Sequence, residues 1–362
     1  MKKILILAPN WIGDAVLSLP VVDASVELWP NSEIWMLADK RVAQIYSARN
    51  TAVQVLEYQR RTGHPRLGDI VRLGRRLRRE RFRLALLLPN SFSSALVTWS
   101  AGIPQRVGYA TDWRGWLLTH HLRSKRKERG LHQVDYYIEL LRSLGATEID
   151  RIPHLRLTSE VIELAPSLLG DLSIGKDETL IGVHPGAAYG EAKRWFPERF
   201  AAVLDRLQKS PRRFLLFGGP GEETLAERLS AAMHHRPANL VGKTTVSAAM
   251  ALINNCDLFL SNDSGLMHVA AALGVPQVAL FGSTDPKKTR PLNERAVVVH
   301  PAQVECTPCF KPHCPQDLEC MEAITVDEVY AAAERLLSEI ESGDNEGGKE
   351  TTQATKRRKE VR

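Results

Sequence analysis

The chain has 362 residues, 44% of them hydrophobic, and a formal net charge of +6, enough apolar material for two compact domains rather than a disordered polymer. No apolar run approaches the roughly 20 residues of a membrane-spanning helix. The five apolar residues from Ile4 to Ala8 are too few for a signal peptide. The expectation is therefore a cytoplasmic protein whose five cysteines stay mostly reduced, and the positive balance points to an anionic partner without identifying it.

In chain order, the apolar run Ile4 to Ala8 is followed by a polar turn and an amphipathic stretch, Ala15 to Leu28, which predicts strand, turn and helix. Further runs at Ile34 to Leu37, Val53 to Leu56 and Leu84 to Leu88 alternate with helical patterns, among them Phe92 to Ser100 and, ended by Gly145, His132 to Leu144. Such alternation predicts a parallel sheet covered by helices. After a weakly patterned stretch from Arg151 to Lys176, the rhythm restarts. Strands are expected at Leu180 to Val183, Phe214 to Phe217, Asn239 to Val241, Leu258 to Leu260, Val278 to Phe281 and Val297 to Val299. Helices are expected at Pro197 to Gln208, Glu222 to His234, Val246 to Asn254 and Leu266 to Leu273. The expected fold is α/β, with two Rossmann-like doubly wound domains, 1–165 and 166–342, facing an interdomain cleft where ligands of such sheets bind. Residues 343–362 are polar and charged and read as a disordered basic tail.

Arg72, Arg75, Arg76, Arg78, Arg79, Arg81 and Arg83 crowd one helical stretch with only Glu80 to offset them. Arg72, Arg75, Arg76 and Arg79 share one side of that helix, which suits a solvated face and an anion-binding face equally well.

Three constellations carry chemistry. Asn10-Trp11-Ile12-Gly13-Asp14 sits where the first strand turns into the first helix, and no G-x-G-x-x-G pattern marks this turn as a dinucleotide site. Asp14 suits either a plain helix cap or a carboxylate facing the cleft. The run from His184 to Trp195 follows a strand; its small residues Gly186, Ala187 and Ala188 allow backbone amides close to a phosphate, and Lys193 and Arg194 add positive charge. In Ser261-Asn262-Asp263-Ser264-Gly265-Leu266-Met267-His268 a strand ends and a helix begins, with unpaired amides, a positive dipole end and His268 one turn in. Cys306, Cys309, Cys314 and Cys320 are spaced C-x2-C-x4-C-x5-C, four thiols within reach of a structural zinc, although the last two gaps depart from the usual paired spacing. Cys256 precedes a strand and is expected in the core.

Together, N-W-I-G-D at 10–14, L-P-N-S-F-S-S-A-L at 88–96, A-G-I-P-Q-R-V-G at 101–108, G-A-A-Y-G-E-A-K-R-W at 186–195 and S-N-D-S-G-L-M-H-V-A-A-A-L-G at 261–274 make the chain resemble the lipopolysaccharide heptosyltransferases of glycosyltransferase family 9. The resemblance spans nearly the whole chain. It implies a GT-B-type fold with an N-terminal acceptor domain and a C-terminal donor domain, and inverting transfer of a heptose from ADP-L-glycero-D-manno-heptose to the first heptose of the lipopolysaccharide inner core. It implies Asp14 as general base and Lys193 beside the diphosphate. Ala187 and Ala188 would offer their backbone to the phosphates, Glu222 would meet the ribose, and Asp263, Ser264, Gly265 and His268 would line the sugar and phosphate site. Some relatives carry hydroxyl side chains where this chain has Ala187 and Ala188. No metal or other cofactor is required on this reading. The lipid-linked acceptor places the enzyme peripherally at the cytoplasmic face of the inner membrane, with Arg72, Arg75, Arg76 and Arg79 on the acceptor and membrane side. A related transferase with another acceptor would share the donor residues; an anion-binding protein that uses the arginines on nucleic acid would leave Asp14, Lys193 and Asp263 without a common purpose.

Overall fold

In the computed structural model, residues 1–59, 66–124, 130–175, 178–208 and 211–345 are described. Most of the expected basic tail, from residue 346 onward, lies outside them; residues 343–345 close the last helix, Val326–Asn345. The chain divides into two compact units, Met1–Arg156 and Leu157–Arg362. The division falls before the expected boundary at 165, because the short helices Ser159–Ile162 and Leu164–Asp171, in the weakly patterned stretch, pack on the Val246–Ile253 helix of the second unit.

The first unit's strands are β1 (Lys2–Leu7), β2 (Ser32–Asp39), β3 (Gln54–Tyr58), β4 (Leu84–Leu87), β5 (Gln105–Tyr109) and β6 (His120–Leu122). They form one sheet in the order β3-β2-β1-β4-β5-β6, with all pairs parallel. The second unit has β7 (Thr179–His184), β8 (Arg212–Leu216), β9 (Ala238–Asn239), β10 (Leu258–Asn262), β11 (Gln277–Leu280) and β12 (Ala296–Val299), ordered β12-β11-β10-β7-β8-β9 and again parallel. Each sheet reverses its strand order once, between β1 and β4 and between β7 and β10. Loops leaving the carboxyl ends of those strands diverge there, which makes the reversal the natural ligand site of such sheets.

The apolar runs form central strands because both faces are covered: β4 and β10 are buried throughout. β5 and β6 escape the periodicity reading because Gln105, His120 and His121 are exposed on short strands. The expected helix Ala15 to Leu28 is two helices, Ile12–Leu17 and Leu19–Leu28, broken at Ser18, whose Oγ donates to the Ala15 carbonyl at 2.7 Å, with Pro20 opening the second. The last helix, Val326–Asn345, buries Val329, Ala333, Leu336 and Leu337 in the core of the second unit together with Trp195 and Phe200.

Candidate active site

In the second unit the site is built from the ends of β7 and β10. These strands pair so that Ser261 lies beside His184, so their last residues start from one place. Asn262 ties the two exits together: its Nδ2 donates to the Pro185 carbonyl at 2.6 Å and its Oδ1 accepts from the Trp195 amide at 3.1 Å. The Trp195 ring is fully buried and donates Nε1 to the Ile324 carbonyl at 3.1 Å. This anchors the downstream end of the loop that carries Lys193. Lys193 Nζ meets Asp263 Oδ2 at 2.5 Å, and the same oxygen accepts from Thr284 Oγ1 at 2.6 Å. With side chains only 14% and 5% exposed, the pair is largely desolvated. Such a pair depends on its further hydrogen bond, here the one from Thr284, to offset that cost.

Next to it, Ser264 caps the Gly265–Ala272 helix, its Oγ accepting from the Met267 amide at 3.4 Å and meeting His184 Nδ1 at 2.8 Å. His268 is buried one turn into that helix. The other nitrogen of His184, Nε2, lies 3.3 Å from Glu222 Oε2, which also accepts from the Gly219 amide at 2.8 Å. Burial pushes the Glu222 carboxyl up, but His184, the Gly219 amide and the Arg194 charge outweigh it and hold the group below the ordinary carboxylate range. The small residue at 186 makes room for this carboxylate: a Cβ there would sit 2.0 Å from Glu222 Oε1. Ala187 is buried and its carbonyl accepts from Arg194 Nη2 at 3.2 Å, whereas Ala188 is exposed.

The structure therefore brings Lys193, Asp263, Ser264, Gly265 and Glu222 to one strand-end cluster. It adds His184 and Thr284, which sequence reasoning did not single out as site residues. The signal for Thr284 is the turn sequence Gly282-Ser283-Thr284-Asp285-Pro286 after β11; His184 opens the run His184 to Trp195 in the sequence but carries no role of its own there, and the structure makes it the last residue of β7. A segment from Thr307 to His313 packs on this cluster. The Phe310 amide donates to the Ser283 carbonyl at 2.8 Å, the Phe310 carbonyl accepts from Tyr189 Oη at 2.9 Å, and the Pro312 carbonyl accepts from the Ala192 amide at 3.1 Å. The cysteine cluster flanks that segment. Cys320 is buried in the core, where burial first and the neighbouring thiols second push it up to about 11. Among the described residues no group of three His, Cys, Asp or Glu is arranged to hold a metal ion, so the zinc reading of Cys306, Cys309, Cys314 and Cys320 finds no support in their arrangement.

In the first unit, Asp14 is half-buried in the first turn of the helix that follows β1. The phenol of Tyr46, raised mainly by burial and further by the Asp14 charge, lies behind it and meets Ser18 Oγ at 2.9 Å. A cavity of about 650 Å³ opens at the carboxyl ends of β1, β3 and β4; Asn10, Tyr58, Ser91 and Ser93 line it, and Arg72 and Arg76 reach it from the Leu67–Glu80 helix. That helix buries Ile70, Gly74 and Leu77 and exposes Arg72, Arg75, Arg76 and Arg79. Asp14 is not among the residues that line the cavity.

Two tandem doubly wound units, each with polar loops converging where its strand order reverses, define a two-unit α/β enzyme architecture of the GT-B type. The family model of glycosyltransferase family 9 (heptosyltransferase) matches residues 70–319, and the chain belongs to that family. It is 33% identical over 305 residues to lipopolysaccharide heptosyltransferase 2 of Salmonella typhimurium, covering 82% of this chain and 87% of that protein. To the Escherichia coli K12 protein of the same name it is 33% identical over 306 residues, with the same coverage. Among solved structures, ADP-heptose LPS heptosyltransferase II of E. coli superposes with a TM-score of 0.79 at 29% identity, covering 94% of this chain and 100% of that one. A family 9 glycosyltransferase from Veillonella parvula gives 0.82 at 25% identity, covering 93% and 97%. The chain is a glycosyltransferase.

Proposed function

We propose that the protein transfers a heptose from ADP-heptose to the first heptose of the lipopolysaccharide inner core, with inversion. The observation that carries the donor half is the largely desolvated Lys193 ammonium, held by Asp263 beside the amide end of the Gly265–Ala272 helix. A nucleoside diphosphate leaving group needs its developing charge neutralised more than it needs a proton, and a desolvated cation next to helix amides does that without a metal. The diphosphate competes with Asp263 for Lys193, and Thr284 remains to hold the released carboxylate oxygen. Glu222, kept ionised by His184 and Gly219, is assigned to the donor ribose, and the backbone at Ala187 and Ala188 to its phosphates.

Asp14 is assigned as the base. The acceptor hydroxyl oxygen forms the new bond to the anomeric carbon of the heptose, the bond from that carbon to the phosphate oxygen breaks, ADP leaves, and Asp14 takes the hydroxyl proton. Arg72, Arg75, Arg76 and Arg79 are assigned to attract an anionic, lipid-linked acceptor at the cytoplasmic membrane face.

The test is incubation with ADP-heptose and lipid A-Kdo acceptors that carry no heptose or one. Turnover only on the acceptor with one heptose is expected, and the Asp14→Asn variant should lose roughly 100-fold or more of it while still binding ADP. Turnover restricted to the heptose-free acceptor would reassign the acceptor, and an Asp14→Asn enzyme of parental rate would remove Asp14 from the chemistry.

A further inference from the structure

Among the described residues of the first unit four tryptophans stand in solvent: Trp113 is 93% exposed, Trp116 70%, Trp11 56% and Trp99 51%. Scattered exposed apolar residues need no explanation, but Trp99, Trp113 and Trp116 lie on segments that all adjoin Phe92 and its helix. Trp99 lies on the Phe92–Ser100 helix, seven residues and so two turns after Phe92 on the same side. The Trp116 ring sits 6.3 Å from that of Phe92, which extends the aromatic stripe past the end of the helix.

The turn that presents Trp113 is held by an elaborate set of contacts. Asp112 and Trp113 both adopt left-handed backbone, with φ of 52° and 56°, a conformation that bulky L residues rarely take. Asp112 fixes it by accepting the Phe92 amide at 2.7 Å, and Thr111 Oγ1 by donating to the Asn90 carbonyl at 3.1 Å. Arg114, fully buried, pins it from beneath through the Tyr109 carbonyl at 2.9 Å and Ser94 Oγ at 2.8 Å. A charged side chain is thus buried while the tryptophan beside it is left outside, the reverse of what stability alone favours.

The neighbouring element supplies charge. The Leu67–Glu80 helix packs directly on the Phe92–Ser100 helix, where Gly74 approaches Ser100 so closely that a Cβ would meet its Oγ at 2.2 Å. Its outer face carries Arg72, Arg75, Arg76 and Arg79. Tryptophan rings favour the headgroup level of a bilayer, where an apolar body and an N–H donor are both satisfied, and guanidinium groups favour anionic headgroups. We propose that Trp99, Trp113 and Trp116 insert into the headgroup layer of an anionic bilayer, beside the arginine face, and dock the first unit on the membrane. The inference rests on the reading of the acceptor as lipid-linked.

The test uses the full chain, with no donor or acceptor, and vesicles of phosphatidylethanolamine and phosphatidylglycerol. Trp113→Ser/Trp116→Ser should bind them about tenfold more weakly than the parent with an unchanged melting temperature, and lipids brominated in the upper acyl chain should quench the parent's tryptophan fluorescence more than the variant's. Equal binding of variant and parent, or no vesicle binding by the parent, overturns the proposal. So does a parental dimer in sedimentation that the double variant converts to monomer, since the surface would then join two copies. In a separate transfer assay with ADP-heptose, an equal rise in the double variant's KM on delipidated and vesicle-borne acceptor overturns it as well, because the rings would then be reading sugar. Transfer to the delipidated acceptor is scored separately, so a chain that binds vesicles through these rings but transfers no heptose defeats the functional reading and leaves this one standing.

Discussion

At the residue scale the donor site is a set of mutual dependencies, and single substitutions should report on several groups at once. Lys193→Ala removes the cation from a carboxylate that is 5% exposed. Breaking one side of a buried pair typically costs about 3 kcal/mol or more, and Thr284 offsets only part of it. The variant should therefore melt earlier and also lose ADP affinity and rate; calorimetry that finds ADP affinity and turnover both unchanged would remove Lys193 from the diphosphate site. Glu222 gives a prediction in pH. Its folded carboxyl sits below its ordinary value, so its stabilisation is fully present above the unfolded value of about 4.3 and is lost as pH falls through the lower folded value. Glu222→Gln should thus lower stability at neutral pH while flattening the acid limb of the stability profile. If parent and variant lose stability in parallel from pH 6 to 3, the His184 and Gly219 contacts do not hold the charged form.

At the scale of elements, the Leu67–Glu80 helix separates two roles by face. Ile70, Gly74 and Leu77 are buried against the sheet and the neighbouring helix, and Arg72, Arg75, Arg76 and Arg79 are left outside. None of these four arginines therefore makes up the core, and replacing all of them with Gln should leave the fold intact. Each basic residue near an anionic surface contributes about 1 kcal/mol, so the four-fold variant should bind anionic vesicles far less at low salt and raise the apparent KM for lipid-linked acceptor. Because Arg72 and Arg76 also line the cavity of the first unit, the KM for a small delipidated acceptor should rise too, but less. Vesicle binding equal to the parent's at low salt would leave these arginines as a solvated face.

At the scale of the whole molecule, the layout was legible wherever burial on both faces forced a continuous apolar run. Ile4 to Ala8, Leu84 to Leu88 and Leu258 to Leu260 marked central strands, and the polar segments after β1, β7 and β10 marked their loops. β5 and β6 were not legible, since Gln105, His120 and His121 stand on exposed backbone where no periodicity is imposed. His184 and Thr284 were not legible as site residues, because they join Ser264, Glu222 and Asp263 only through pairings between segments 21 to 80 residues apart. Since each unit has its own sheet, the donor assignment makes a spatial prediction. ADP at about 100 times its Kd should stabilise the protein by about 2.7 kcal/mol, and the added amide protection should concentrate in the second unit, at His184 to Ala188, Gly218 to Glu222 and Asp263 to His268. Lys193→Ala should weaken that protection in proportion to its loss of ADP affinity. Protection appearing first or mainly in residues 1–156, around Asn10 to Asp14 and Ser91 to Ser94, would place the nucleotide on the first unit and reverse the division of donor and acceptor between the two.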